Sequence, residues 1–411
     1  MMDRSATILS MSIIAVLFFI FGFVTWLNGS LIPFLKVLCD LNEFEALFVT
    51  FAFYISYTVM AYPMSYLLEL TGYKKGMSLG LFVMAVGSLL FIPAAFMREF
   101  GIFLLALFVL GTGLTILQSA SNPYIVLLGP IESAARRISI MGLINKSAGV
   151  LAPIVFTALI LSDIPVLEEL QESNLDLLSQ TLVTPYLVMA SILLALILFV
   201  HFSPLKDVEY EEDDTYDHVS IFRFPHVILG AIALFFYVGI EVMAGDTIGL
   251  YAQSLGVKDV TILTSYTMAC MVLAYFIGIL AIPKLLSQKS ALALSSLLGI
   301  VFVFLIVFTP KESHIFMETI PDTVLFVALL GLSNALVWPT IWPLVLEGLG
   351  RHTPKASALL IMSIAGGALL PLLFGRISLY TNDMQMSYLL GIVSYLFILF
   401  YALKGHRIGK D

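Results

Sequence analysis

The chain has 411 residues, 60% of them hydrophobic and 12% charged, with a mean hydropathy of +1.02. Soluble domains are roughly 45 to 50% apolar and about 25% charged, so this composition excludes a soluble globular protein and requires an integral membrane one. The net charge of -8 sits largely in one linker and one loop, no basic patch offers a nucleic-acid surface, and Cys39 and Cys270 alone suggest neither a disulfide framework nor a metal site.

A helix needs about 20 apolar residues to cross a hydrocarbon core of about 30 Å. The sequence supplies twelve such runs, at about 9-35, 44-68, 77-97, 101-127, 137-161, 182-201, 224-250, 262-285, 290-309, 323-347, 355-379 and 386-404. The first follows Arg4 but is much longer than the roughly 7 to 15 residues of a signal-peptide core, and no small-residue cleavage site follows it, so it reads as a span. Between the fifth and sixth runs, Asp163 to Gln180 carries Glu168, Glu169, Glu172 and Asp176 and is expected to form a short surface helix. After the sixth, SPLKDVEYEEDDTYDHVS is too acidic to enter lipid and divides the chain into 1-202, a cytoplasmic linker at 203-222, and 223-411. Among basic residues between spans, Lys36, Arg98, Lys258 and Lys311 fall on one side. The other side holds many more, including Arg4, Lys74, Lys75, Arg136, Arg137, Arg223, Lys284, Lys289, Arg351, Lys404 and Arg407. The positive-inside rule then places both termini in the cytoplasm.

The two parts look duplicated. Arg137, Ser139, Gly149, Pro153 and Phe156 match Lys355, Ser357, Gly367, Pro371 and Phe374 at a constant offset of 218. Phe18-Phe19 with Gly22 recurs as Phe235-Phe236 with Gly239 at 217, and Gly111 with Pro123 as Gly331 with Pro343 at 220. Shared offsets of this kind mark internal repeats. The expected fold is an all-α membrane protein of twelve helices in two pseudo-symmetric six-helix halves, the organisation of major facilitator transporters, with a site near the midplane between them.

Polar residues in the apolar runs fall on shared helical faces. The fourth run places Thr115, Gln118, Ser119 and Asn122 at i, i+3, i+4 and i+7, and the fifth does the same with Gly142, Asn145, Lys146 and Gly149. All three tryptophans lie on the first and tenth runs, Trp26, Trp338 and Trp342. Asn334, Trp338 and Trp342 are spaced to share one face. Amides donate and accept hydrogen bonds, and flat aromatic faces suit the C–H faces of a sugar ring. The combination points to a neutral polar substrate, with sugar the leading candidate.

At FFIFGFVTWLNGSLIPFLK, LQSASNPYIVLLGP, YVGIEVMAG and LVWPTIWPLVLEGLG through GGALLPLLFG, the chain resembles the fucose, glucose and galactose permeases of the major facilitator superfamily. The resemblance covers nearly the whole chain. It implies alternating-access sugar import coupled to Na+ or H+, no cofactor, and a sugar held by Trp26, Asn28, Gln118, Asn122, Asn145, Asn334 and Trp338. It also implies a monomer in a bacterial inner membrane. The loop SYLLELTGYKKG resembles the superfamily's gating motif, with Glu69 acidic and Lys74 and Lys75 basic, although Leu70 replaces the expected arginine. In the proton-coupled fucose members a first-span aspartate and a fourth-span glutamate occupy the positions of Gly29 and Gln118, so that coupling route does not transfer.

Lys146 puts an amine roughly 14 Å into a helix, where a charge is costly and faces a cavity or a partner. It reads as a proton carrier, a fixed charge standing in for a bound cation, a ligand donor, or one partner of a static salt bridge. Glu241, deep in the seventh run, is its natural acidic counterpart in the other half, and the two are expected to set coupling. Asp246 and Arg376 lie nearer the ends of their runs and read as interfacial charges unless function claims them. Three other classes stay open: a lipid or drug exporter of the same fold, a non-transporting sugar sensor, and an intramembrane enzyme, for which no catalytic constellation is visible.

Overall fold

The computed structural model describes residues 4–128, 134–160, 172–205, 221–282, 285–347, 349 and 353–409. The described chain is almost entirely helical. Among the described residues, twelve spans are long and apolar enough to cross a membrane: Leu9–Leu38, Glu43–Ala61, Tyr73–Met97, Phe100–Asn122, Arg137–Leu159, Leu175–Phe202, Pro225–Asp246, Val260–Ala281, Gln288–Phe308, Asp322–Leu346, Ala356–Thr381 and Met384–Leu403. Most of the expected acidic linker, 206–220, lies outside the described residues. The expected surface helix exists as Glu172–Gln180, tied to the third span by Ser179 Oγ on the Ala95 carbonyl and to Arg98 through Asp176.

Packing repeats between the first six and last six spans. The first span packs on the fifth as the seventh packs on the eleventh. The third covers the fourth and sixth as the ninth covers the tenth and twelfth. The two crossings of the first kind are close. A Cβ at Gly22 would run into the Asn145 carbonyl, and one at Gly366 into the Phe235 carbonyl. The two sets meet along the fifth against the eighth span and the second against the eleventh. The seventh and tenth spans are the most enclosed and the sixth the least, so a lipid-facing sheath of residues such as Leu198, Phe276 and Leu280 surrounds a largely apolar interior in which a few polar and charged side chains are buried.

Several spans are interrupted where the sequence pattern had run on. The first breaks at Leu27 between Arg4–Trp26 and Asn28–Leu38, and the seventh at Thr247 between Pro225–Asp246 and Ile248–Ser254, a matched pair 220 residues apart. The tenth divides into Asp322–Asn334 and Val337–Leu346. Pro339 explains that division, since it has no N–H to offer the Ala335 carbonyl and is tolerated in the first turn of the following piece. The eleventh passes through a 3₁₀ turn at Ser363–Ala365. The fourth, Phe100–Leu127, is continuous, so the interior is not symmetric in detail.

The face away from the termini is closed by contacts between the two sets of spans. Ser30 donates to the Thr261 carbonyl, the Thr157 and Thr261 hydroxyls meet at 2.8 Å, and Ser265 donates to the Val150 carbonyl. Thr50 donates to Asp246, and Ser378 to Glu43.

Candidate functional site

The centre of the molecule is organised by an ion pair. Lys146, on the fifth span, and Glu241, on the seventh, are 7% and 6% exposed, with Nζ 2.7 Å from Oε1. The same Oε1 accepts a hydrogen bond from Tyr237, one turn earlier on the seventh span, at 2.7 Å. The ammonium lies 4.2 Å from the centroid of a Trp26 ring, a cation–π contact that strengthens when desolvated. Tyr237 in turn lies 6.3 Å from Trp338, and Trp338 lies 5.6 Å from Trp342. One continuous path thus runs from the first span through the fifth and seventh to the tenth.

Local packing fixes this arrangement. Trp26 is buried at the end of the first helical piece, against Gly149 and Met268. A Cβ at Gly149 would lie 2.6 Å from Trp26 Cδ1, and one at Gly245 would lie 2.6 Å from Cζ3. The two glycines leave the slot that the indole fills, and the indole positions the ammonium. Charges so placed balance, so the centre carries no net charge. On the first and tenth spans, the donors Trp26 Nε1, Asn28 Nδ2, Asn334 Nδ2 and Trp342 Nε1 are buried with no hydrogen-bond partner among the described residues.

The sequence-derived residues divide into two groups. Trp26, Lys146, Glu241 and Trp338 come together along the path above. Among the described residues, no hydrogen bond joins Gln118, Asn122, Asn145 or Asn334 to it. Gln118 is half-buried and donates to Tyr57 at 3.0 Å, Asn122 is half-buried on the same span, and Asn145 reaches the Phe18 carbonyl at 3.4 Å. Asn334 accepts from Tyr395 of the twelfth span at 2.7 Å. The expected common face of Asn334, Trp338 and Trp342 is divided by the break at 335–336. Lys74 donates to the Ser203 carbonyl at 2.8 Å, Lys75 is exposed, and Glu69 is in the last turns of Phe48–Thr71 with its side chain outside the described residues.

Asp246 corrects the reading of it as an interfacial charge. It is 0% exposed and accepts from Thr50 at 2.9 Å. The chain continues as helix after Thr247, which carries Asp246 away from the surface. Tyr57, Tyr237 and Tyr395 were not anticipated either, although Tyr237 stands at i−4 from Glu241 on the same helical face.

Residues 14–371 match the family model of the Major Facilitator Superfamily. The chain belongs to that superfamily. Within it, the chain is 34% identical over 403 residues to a glucose/galactose transporter of Brucella abortus, covering 96% of this chain and 93% of that one. It is 33% identical to a putative glucose/galactose transporter of Helicobacter pylori, covering 99% of each, and 26% identical to the L-fucose-proton symporter of Escherichia coli, covering 96% and 92%. These relatives place this superfamily member in the branch whose motifs it carries. The solved structure of the Escherichia coli fucose:proton symporter FucP matches it with a TM-score of 0.74 at 24% identity, covering 97% and 98% of the two chains, which establishes the same twelve-helix fold. The chain is a multi-pass membrane transporter and not an enzyme.

Proposed function

We propose that this transporter imports a neutral hexose or related sugar, of the glucose, galactose, mannose, fucose or N-acetylglucosamine class, by alternating access. The observation that carries the reading is the charge-balanced centre. The Lys146–Glu241 pair lies against a ring of Trp26, Trp338 packs on the Tyr237 that bonds Glu241, and unspent buried donors lie on the first and tenth spans. Such a centre suits an uncharged, hydroxyl-rich ring better than the greasy solutes of a lipid or drug exporter. The names of the glucose/galactose relatives support the same class. Trp26, Asn28, Gln118, Asn122, Asn145, Asn334 and Trp338 hold the sugar between halves 1–202 and 223–411, which the linker at 203–222 joins.

Import is coupled to a cation, Na+ or H+, with Lys146 and Glu241 setting the coupling because they join the two halves at the site. Glu69, Lys74 and Lys75 gate the opposite, cytoplasmic end. Both termini are cytoplasmic in a bacterial inner membrane. The sealed face away from them is then the outer gate, and the transporter works as a monomer. Proteoliposomes loaded with D-glucose or D-galactose test this: labelled hexose should exchange in, and an imposed H+ or Na+ gradient should drive accumulation. Absence of counterflow with every hexose overturns the sugar assignment, and indifference to both gradients overturns symport.

A further inference from the structure

Three buried carboxyls differ sharply in what surrounds them. Glu241 has an ammonium and a phenol. Asp322, at the start of the tenth span, accepts from Ser313 and from the backbone N–H groups of Ile315 and Phe316. Asp246 has one hydroxyl, Thr50 Oγ1, on Oδ2, while its buried Oδ1 has no hydrogen-bond partner among the described residues. No ion pair reaches it among the described residues. A carboxylate removed from water with so little compensation costs far more than the neutral acid in the same place.

The position matters as much as the chemistry. Thr50 belongs to the first half and Asp246 to the second, at the bend where the seventh span breaks. Their contact lies in the same seam as Ser30–Thr261 and Thr157–Thr261, the contacts that close the outer gate. Thr264 and Thr267 of the eighth span take the carbonyls of Gly245 and Ala244, holding that bend rigid beside the carboxyl. Glu241, five residues back and paired with Lys146, and Tyr54 of the second span are the ionisable groups that bear on Asp246. The other charged groups at this end of elements packed against the seventh span, Lys36, Asp322 and Arg376, form no ion pair with it.

We propose that Asp246 is a proton-binding site of the outer gate, which must be occupied for the gate to close. The inference rests on the alternating-access reading above. With the gate open, the two halves separate, the carboxyl meets external water and ionises. Closing requires a proton from that water: a hydronium O–H bond breaks as the carboxyl O–H bond forms, leaving neutral water outside and a neutral acid in the seam. Because the closed form binds one proton more than the open form, the closed-to-open ratio rises as pH falls, by up to about tenfold per pH unit.

The test reads the gate directly, without sugar. Full-length protein in lipid nanodiscs, with Cys39 and Cys270 replaced by serine, is spin-labelled at Leu177→Cys and Tyr380→Cys, exposed positions in opposite halves at the outer face. Dipolar spectroscopy across a pH series should show a short-distance population growing at low pH at the expense of a long one. Asp246→Asn should hold the short distance throughout, whereas the charge-balanced Lys146→Met/Glu241→Gln double variant should keep the pH response. A wild-type distribution indifferent to pH overturns the proposal, as does an Asp246→Asn protein that responds like wild type. Loss of the response in the double variant overturns it too, assigning the proton to Glu241 even where Asp246→Asn fails to fold. Because no hexose is present, failure of the sugar assignment leaves this readout intact, and a pH-indifferent gate leaves hexose counterflow intact.

Discussion

Lys146 and Glu241 stand 2.7 Å apart although they come from opposite halves of the chain, 95 residues apart in sequence. A buried pair is energetically asymmetric. Removing both charges is often close to neutral, but removing one strands the other in a low-dielectric interior at a cost of about 3–5 kcal/mol. Lys146→Ala and Glu241→Gln should therefore each lower the melting temperature in detergent markedly, and Lys146→Met/Glu241→Gln should recover most of the loss. Equal destabilisation by single and double variants would show that the two charges do not depend on each other. In proteoliposomes, gradient-driven hexose accumulation should be lost in all three, and wild-type accumulation by Lys146→Ala would remove the coupling role.

Trp26 is held by two glycines and in turn carries the ammonium, so its slot should be sensitive to a single methyl. Gly149→Ala would bring a Cβ to 2.6 Å from the indole. Overpacking of this kind costs about 1–3 kcal/mol, and it should also push the ring off Lys146. Hexose uptake should fall more in Gly149→Ala than stability alone explains, judged by comparing initial rates per folded molecule. Normal uptake by the Gly149→Ala protein would separate the indole from the transport site.

Much of this architecture was legible in the sequence, and the limits have physical causes. Hydropathy fixes the spans because each must satisfy its own backbone in lipid. The repeat was visible because Gly22, Gly149, Gly239 and Gly367 serve the helix crossings that the fold repeats. The Lys146–Glu241 partnership could be read from charge and depth. Periodicity, however, gives a face of one helix and not the neighbour that face meets. It could not show that Asn145 turns to the Phe18 carbonyl or Asn334 to Tyr395. Hydropathy puts Asp246 four residues from the end of the seventh run and so near the surface, whereas a bend at Thr247 lets Ile248–Ser254 continue as helix and encloses it.

Asn334 has two ends with separable roles. Its oxygen accepts from Tyr395, and its buried Nδ2 has no partner among the described residues. If that nitrogen serves the sugar, Asn334→Ala should raise the KM for D-glucose about two- to tenfold, the scale of one net hydrogen bond. Tyr395→Phe, which removes only the tie to the twelfth span, should change KM less and stability by about 1 kcal/mol. The same KM in both variants would reduce Asn334 to an interhelical link.

The repeated helix crossing makes a prediction about symmetry itself. Gly22 faces the Asn145 carbonyl where the first and fifth spans meet, and Gly366 faces the Phe235 carbonyl where the seventh and eleventh meet. A Cβ at either place meets backbone, which cannot rotate away as a side chain can, so both helices must separate. Gly22→Ala and Gly366→Ala should each sharply reduce the yield of monodisperse protein, and to a similar extent. Gly101→Ala, whose Cβ would find nothing nearer than a glutamate oxygen 4.0 Å away, should leave the yield unchanged. The first crossing also positions Asn145 and Lys146, so any Gly22→Ala protein that folds should lose hexose transport as well. If Gly22→Ala folds normally and transports like wild type, the close approach of the first and fifth spans does not hold in the membrane. The placement of Lys146 that follows from it would then fall too.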